Sequence, residues 1–407
     1  MNARRSHEEA RRFLEHLRAH NQAALGISSD SSALVDRADP SDTVNRFLRE
    51  SLHPEDARDP EIRALVEQHF ARSHHGNDEM LAGLQDNIEQ TAAARIKGVD
   101  LAPLSPLIGY LQTGQLNAVS MRVPGRSGDY LVLFEDEMLL FASKLSKAVA
   151  WAIPAGPSDA NGMMTFEWGM PPVTERIEAR PEVAEQFADI VITYAVTGGV
   201  GQAAHHMVPP GYLNLASMMR DSLEYFVLGH EYSHILLGHL DIAESRKGVL
   251  PAGEAEVLAY SWRQELDADW FGMVLSINAL IDHEDQDIPF GFIGISLFFD
   301  ALDVMDRAVA LLQTGDENAR QLGSHPPSDL RKRYLRDFLP QMAGGDPELS
   351  EDVRTALELA DVQSEIIRLL WERTRPILLD LRRHGVSVAP TWRTIPKEAG
   401  DETVPGP

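Results

Sequence analysis

The stretch FVLGHEYSHILLGHL, residues 226–240, constrains this chain more than any other part of it. Most of its residues are apolar, which predicts a helix that is buried in a core. Four polar residues oppose burial, because unpaired imidazoles and carboxylates are costly to remove from water. They are His230, Glu231, His234 and His239. A core that contains this helix must therefore offer these side chains partners.

The spacing of these polar residues predicts a metal site. His230 and His234 are four positions apart, so both imidazoles project from the same face of a helix. This is the H-E-x-x-H arrangement, in which two neutral imidazoles bind zinc and the glutamate lies beside the open position of the metal. We therefore expect one zinc ion per chain, with Glu231 as the general base that deprotonates a zinc-activated water. The alternative is a pair of core histidines satisfied by hydrogen bonds, and the apolar flanks of the motif favour the metal.

A catalytic zinc site needs a third protein ligand, and the residues after the motif exclude one known pattern. The metzincin pattern places Gly three residues and His six residues after the second His. Leu237 and Leu240 occupy those positions here, and His239 is out of register by one residue. We expect His239 to lie beside the site or to cap the end of the helix.

Two glutamates further along the chain compete for the place of third ligand. Glu254 has a spacing from His234 like that in thermolysin, but it lies at a predicted helix start, where the helix dipole alone explains a carboxylate. Glu265 lies inside the predicted helix, and Asp269 is four residues further along the same face. A metal-binding histidine commonly donates its other N–H to a carboxylate, and Asp269 is placed for that role. The pattern therefore favours Glu265.

Three short motifs together resemble a known family of peptidases. HEYSH and ELDAD resemble the HExxH…ExxxD signature of gluzincin metallopeptidases of the HtpX and CAAX-prenyl-protease family, and SHPPSDLRKR is similar to that family's HPxxxxR segment. The resemblance covers about residues 128–340. Members usually carry transmembrane helices, so a soluble variant is expected here. The resemblance implies zinc binding by His230, His234 and Glu265, general base catalysis by Glu231 and orientation of a ligand by Asp269.

One histidine of the third motif is a further candidate catalytic residue. We expect His325 to contact the substrate or the oxyanion that forms during hydrolysis. The alternative is structural, since His-Pro-Pro before Ser328 and Asp329 can set the start of a helix. The sequence leaves both interpretations open.

Composition excludes several classes of partner and limits the kinds of metal site. The 62 acidic residues outnumber the 37 basic residues, which gives a formal net charge of −25. A surface this acidic repels phosphate groups, so we expect neither nucleic-acid binding nor attachment to an anionic membrane. The chain has no cysteine, so any metal must be bound by His, Asp or Glu. We predict a cytoplasmic protein, because the chain shows no transmembrane segment and its first residues lack the apolar region of a secretory signal.

Periodicity along the chain predicts an α+β fold with a mainly helical core, a small β element, a helical N-terminal region and a helical C-terminal extension. The resemblance implies that this core is a zincin-like metallopeptidase core. Strands are expected at residues 116–123 and 129–134, joined by a turn. The predicted domains are an N-terminal helical region at 1–112, a metallopeptidase domain at 113–342 with an insertion at about 152–220, and a C-terminal helix with a disordered tail at 343–407.

Local patterns also predict where the helices around the motifs begin. Asp221, with Glu224 three residues later, resembles a capping box, so the HEYSH helix is expected to begin near Asp221. The ELDAD helix is expected at 254–280 and the next helix at 292–312. The last long helix is expected to bend at Pro376, because proline removes one backbone hydrogen bond.

These observations predict a soluble zinc-dependent endopeptidase that hydrolyses peptide bonds in a protein or peptide substrate. The alternative is a non-catalytic or toxin-like regulatory protein of the phage-exclusion type, in which the metal site is structural or kept covered. A purely structural site needs no carboxylate beside the metal, and it prefers four protein ligands. Glu231 therefore favours the enzyme. The sequence carries no prediction of oligomeric state.

Overall fold

Helices make up most of the described residues, together with a three-stranded sheet and a two-stranded sheet. The structure is a computed structural model that describes residues 7–25, 60, 63, 77–97, 101, 104–111, 116, 118–124, 128–157, 164–204, 208–241, 246–249, 256–259, 261–319 and 325–393. These residues are mostly helical with a small three-stranded sheet, which agrees with the predicted α+β class.

The helices are α1 (Glu8–Leu25), α2 (Asn77–Arg95), α3 (Asp136–Ala152), α4 (Met170–Ala179), α5 (Pro181–Thr197), α6 (Pro210–Leu236), α7 (Trp262–His283), α8 (Ile288–Thr314), α9 (Ser328–Phe338) and α10 (Pro347–Arg383). Short 3₁₀ turns cover His239–Asp241, Leu339–Ala343 and Pro390–Arg393. The strands are β1 (Leu107–Leu111), β2 (Ala118–Arg122), β3 (Tyr130–Glu135), β4 (Arg246–Val249) and β5 (Glu256–Ala259).

The three-stranded sheet has the strand order β1-β3-β2. β2 pairs antiparallel with β3, with Ser120 opposite Val132, and these strands confirm the predicted pair at 116–123 and 129–134. β1 pairs parallel with β3, with Gly109 opposite Leu133. The sequence did not predict β1, because a strand of five residues is too short to show a clear period and its partner is distant in the chain.

Helix α1 covers one face of this sheet. Leu14 of α1 is buried in the same apolar cluster as Leu131 and Leu133 of β3. Gly109 lets the helix approach β1, because a Cβ there would lie 2.4 Å from Leu14 Cδ2. Helix α1 and strand β1 lie in the predicted N-terminal region, 1–112, and both pack on the residues that follow. The boundary at 112 stays a prediction.

Helix α6 runs through the helical core, where it contacts α3, α7 and α8. Among the described residues, α8 is long and apolar enough to cross a membrane, with a mean hydropathy of 1.7 in its most apolar window. However, 72% of that window is buried inside the fold. A buried core helix passes the same test, so the fold is compatible with a soluble protein.

The predicted start of α6 near Asp221 is wrong, because the helix begins at Pro210. Pro209 and Pro210 supply the fixed backbone angle that suits a first helical turn. Leu215 is buried and extends the apolar face of the helix in the N-terminal direction. Asp221 therefore lies inside the helix, where its side chain cannot act as a cap.

The predicted start of the ELDAD helix at residue 254 is also wrong. Residues 256–259 form β5, which pairs antiparallel with β4. Helix α7 begins at Trp262, and Ser261 caps it through a capping box with Gln264. Glu254 itself lies outside the described residues.

The other predicted helices are present with shifted ends. Helix α8 extends the predicted 292–312 at both ends, and α10 runs without a break through Pro376. The predicted insertion, 152–220, contains α4, α5 and the beginning of α6. The predicted disordered tail begins at Ala389, but its first residues are packed on the fold: the N–H of Ala389 donates to the carbonyl of Ala195 at 3.0 Å, and Pro390–Arg393 form a 3₁₀ turn. The rest of the predicted tail, 394–407, lies outside the described residues.

Candidate metal centre

Two glycines allow the helices that carry HEYSH and ELDAD to touch. A Cβ on Gly272 of α7 would lie 2.7 Å from the backbone N of His230, and a Cβ on Gly229 of α6 would lie 3.0 Å from the carbonyl O of Gly272. Because no side chain separates the two backbones, the face of α7 that carries Glu265 and Asp269 lies directly against His230. The two motifs therefore meet in the tertiary structure.

The side chains of His230, His234 and Glu265 converge on one point. The two imidazole Nε2 atoms are 3.2 Å apart. Glu265 Oε2 lies 3.5 Å from His230 Nε2, and Glu265 Oε1 lies 3.8 Å from His234 Nε2. Zinc ligands at about 2.0–2.1 Å in tetrahedral directions are about 3.3 Å from one another. The three predicted ligands thus form a buried group that can hold a metal ion.

Buried carboxylate oxygens without close hydrogen-bond partners also favour a cation at this place. Within the described residues, Glu231 Oε2 is buried without a hydrogen-bond partner, and the contacts of the buried Glu265 Oε2 with His230 and Arg331 are long, at 3.5 Å each. Such oxygens are costly in a core, and a bound cation removes that cost. Burial opposes ionisation of Glu265, but nearby histidines and Arg331 hold its pKa well below the usual range. Glu265 is therefore an anionic donor.

Asp269 connects His230 to a buried arginine. His230 Nδ1 lies 2.9 Å from Asp269 Oδ1. Arg331 donates hydrogen bonds to both oxygens of Asp269, at 2.7 and 2.6 Å, and its guanidinium carbon lies 5.1 Å from the ring centroid of Phe299. Asp269 therefore lies where the sequence placed it, beside the Nδ1 atom of His230 and on the side of the ring away from the three converging donors.

The charges in this chain of contacts shift two pKa values. Burial lowers the pKa of His230, but the hydrogen bonds with Asp269 and Glu265 outweigh burial and raise it to about 9. Burial raises the pKa of Asp269, but the guanidinium of Arg331 outweighs burial and keeps it below the usual range. Asp269 is therefore ionised and is a strong hydrogen-bond acceptor for the His230 ring.

Sequence reasoning assigned no role to two residues of the centre, Arg331 and Ser120. Arg331 is the last residue of the HPxxxxR-like segment, so the motif included it. However, the motif did not indicate that Asp269 is its partner. Ser120 of β2 makes hydrogen bonds to the Glu231 carboxylate through its hydroxyl and its backbone N–H. Burial raises the pKa of Glu231 more than these hydrogen bonds lower it. No local pattern around Ser120 indicates this contact, because β2 and α6 are distant in the chain.

His325 lies at the edge of the centre. Its Nε2 atom is 3.4 Å from Glu265 Oε1, and 41% of its side chain is exposed to solvent. Helix α9 begins at Ser328 directly after Pro327, so this segment also starts a helix. The fold therefore brings His325 beside the donors, and its contact with substrate stays a prediction.

Comparison with known proteins supplies no relative from which a function follows. No protein-family model, no curated protein and no solved structure matches this chain. The functional conclusion therefore depends on the residues and the geometry of the centre.

Proposed function

We propose that this protein is a soluble, cytoplasmic zinc-dependent endopeptidase of the gluzincin type, with a zincin-like core, that hydrolyses peptide bonds in a protein or peptide substrate. One observation carries the proposal: the Glu231 carboxylate lies beside the three converging donors, with its Oε1 atom 4.0 Å from His230 Nε2. A structural metal site has no need for a buried carboxylate in that place. The resemblance of HEYSH, ELDAD and SHPPSDLRKR to gluzincin motifs supports the same function.

Zinc is the metal that best suits this donor set. Two imidazole nitrogens and one carboxylate oxygen are typical of catalytic zinc sites, which keep a fourth position open. Calcium and magnesium instead prefer ligand sets made of oxygen atoms. We therefore propose His230, His234 and Glu265 as the ligands of one zinc ion per chain.

The residues around the centre have separate roles in the proposed reaction. Zinc held by His230, His234 and Glu265 would supply a Lewis acid for the scissile carbonyl and would lower the pKa of a water molecule toward about 7. Glu231 accepts a proton from the attacking water and then delivers it to the leaving amine. Ser120 holds the Glu231 carboxylate from the side of β2. The upward shift of the Glu231 pKa makes its carboxylate a stronger base, which favours transfer of the proton from the water.

The burial of the centre favours a second candidate, in which the peptidase is kept covered or the metal is structural. His230 and Glu231 are each 6% exposed, and His234 and Glu265 are each 1% exposed. A structural zinc site prefers four protein ligands. His325 lies 3.4 Å from Glu265 but outside the group of three converging donors, so its side chain would have to move to become the fourth. A structural site and a catalytic site differ in what His325→Ala does to zinc affinity. The affinity falls sharply only if His325 is a ligand.

The proposed function is tested by expressing wild type and Glu231→Gln in cells and measuring new protein N-termini by mass spectrometry. Glutamine keeps the shape of the side chain and removes the base, so cleavage should slow about 10²–10⁴-fold. The purified variant should still hold zinc, because Glu231 is not a ligand. Glu224→Gln is the matched control, since Glu224 lies seven residues earlier on α6 and is 2% exposed.

The outcomes separate the candidates. New N-termini that appear with wild type and Glu224→Gln, but not with Glu231→Gln, support the endopeptidase. The same N-termini at the same rate from Glu231→Gln would refute Glu231 as the base. Zinc binding without any new N-terminus, together with loss of zinc affinity in His325→Ala, would identify a structural site.

A further inference from the structure

His239 lies against a proposed zinc ligand on the side that faces away from the metal. Its Nδ1 atom is 2.9 Å from Nδ1 of His234, and the two ring centroids are 5.1 Å apart with an angle of 65° between the ring planes. Both residues are buried, with 1% of His234 and 5% of His239 exposed. The sequence predicted only that His239 lies beside the site or caps the helix end, and the proposed reaction does not use it.

The end of α6 explains how His239 reaches a residue five positions earlier. Helix α6 ends at Leu236, and Gly238 adopts a left-handed conformation with φ of 69° that reverses the chain. The N–H of Gly238 donates to the carbonyl of Ile235 at 3.1 Å, which closes the turn. The 3₁₀ turn that follows is held to strand β2 by an ion pair between Asp241 and Arg122. The position of His239 is therefore set by the fold on both sides.

The contact between the two imidazoles allows only one arrangement of protons when metal is bound. Nε2 of His234 faces Nε2 of His230 at 3.2 Å and Glu265 at 3.8 Å, so the metal must bind through Nε2. The hydrogen of a neutral His234 ring is then on Nδ1, and it points at His239. Two nitrogens 2.9 Å apart share one hydrogen, so Nδ1 of His239 must be the acceptor.

The two histidine ligands therefore have partners of different charge. His230 faces Asp269, an anion paired with Arg331, whereas His234 faces a neutral imidazole. A second carboxylate in place of His239 would add an unpaired negative charge to a core that already contains Glu231 and Glu265, and an unpaired buried charge is costly. A neutral acceptor orients the ring without that cost.

We propose that His239 is a positioning residue of the metal centre, which accepts a hydrogen bond from Nδ1–H of His234 and so fixes the tautomer and the orientation of that ligand. The proposal rests on the proposed metal site and is independent of proteolysis. Partners of metal-bound histidines typically change metal affinity about 10–100-fold when they are removed.

The test measures the zinc dissociation constant of the purified full-length protein by competition with a chelator. In His239→Leu no acceptor remains, so zinc affinity should fall about 10–100-fold. In His239→Asn the amide Oδ1 replaces Nδ1 at the same distance from the backbone, so affinity should stay within a few-fold of wild type. His239→Gln carries the same amide one carbon further out and should resemble His239→Leu. His384→Leu is the control, because that side chain is 73% exposed.

A second measurement keeps the test independent of variant folding. Nitrogen NMR of the zinc-loaded wild type, with ¹⁵N-labelled histidine rings, should show His234 protonated at Nδ1 and His239 protonated at Nε2 alone. A proton on Nδ1 of His239, or wild-type zinc affinity in a folded His239→Leu, would overturn the proposal. If the wild type holds no zinc, the metal site itself fails; if it holds zinc but cleaves nothing, only the peptidase fails.

Discussion

Gly272→Ala tests whether close contact between α6 and α7 creates the metal centre. Gly272 lies on the same face of α7 as Glu265 and Asp269, seven and three residues before it. A Cβ at this position would lie 2.7 Å from the backbone N and 2.8 Å from the Cα of His230, and 3.0 Å from the backbone C of Gly229. These are backbone atoms inside a helix, so no side-chain rotation can relieve the overlap.

The overlap of the added Cβ with α6 sets the expected loss of stability and of zinc affinity. Carbon atoms in contact are about 3.5–4.0 Å apart, so α7 must move away from α6 by about 1 Å. Overpacking of this kind costs about 1–3 kcal/mol, while replacing glycine by alanine inside a helix returns about 1 kcal/mol, so the free energy of unfolding should fall by up to about 2 kcal/mol. Metal sites tolerate distance errors of only about 0.2 Å, so the shift of Glu265 should weaken zinc binding at least about tenfold.

Urea unfolding of the apo protein and zinc competition with a chelator measure the two effects separately. Gly83→Ala is the matched control, because Gly83 lies inside α2 and, apart from the helix itself, no atom of the described residues lies within 4 Å of the added Cβ. That variant should gain about 0.5–1 kcal/mol and bind zinc like wild type. If Gly272→Ala is as stable as Gly83→Ala and binds zinc with unchanged affinity, glycine contact does not set the ligand geometry.

Three further outcomes are expected. Glu265→Gln should sharply reduce zinc affinity, and Glu254→Gln should leave it nearly unchanged. Dialysis followed by metal analysis measures both affinities, and the reverse ranking would show that Glu265 is not the third ligand. Arg331→Met removes the guanidinium that pairs with the buried Asp269 and leaves His230 beside it, so the free energy of unfolding at neutral pH should fall by up to about 3–5 kcal/mol. Adding Asp269→Asn should restore part of this loss, and equal stability of both variants in urea would count against the ion pair. Burial raises the pKa of Glu224 from 4.5 to about 8, so the folded state keeps a proton that the unfolded state releases. Stability should therefore fall by up to about 1.4 kcal/mol per pH unit between those two values, and a pH series of urea melts should show a smaller slope for Glu224→Gln than for wild type.

The sequence alone determined features that depend on short spacings. His230 and His234 must share a helix face because they are four residues apart, and the same rule places Asp269 beside Glu265. Each of these motifs lies within a single helix, so local periodicity was sufficient to predict it. The strands β2 and β3 were predictable for the same reason, since a short turn connects them.

Helix starts were less predictable, because tertiary packing can override a local capping pattern. Asp221 and its neighbours resembled a cap, yet the buried Leu215 continues the apolar face and the helix starts at Pro210. The ELDAD helix starts later than predicted, because the residues expected to form its first turns pair as a strand instead. Residues 256–259 pair with another strand, and this pairing leaves Ser261 to cap the helix.

Only the tertiary structure decided which residues surround the predicted ligands. The hydrogen bonds of Ser120 to Glu231 and of Arg331 to Asp269 join segments that are distant in the chain. No period or spacing encodes such pairs, because they exist only after α6, α7, α9 and the sheet have packed together. Even the close contact of His239 with His234 needs the left-handed turn after α6. The sequence therefore determined the candidate metal donors, and packing determined which side chains lie against them.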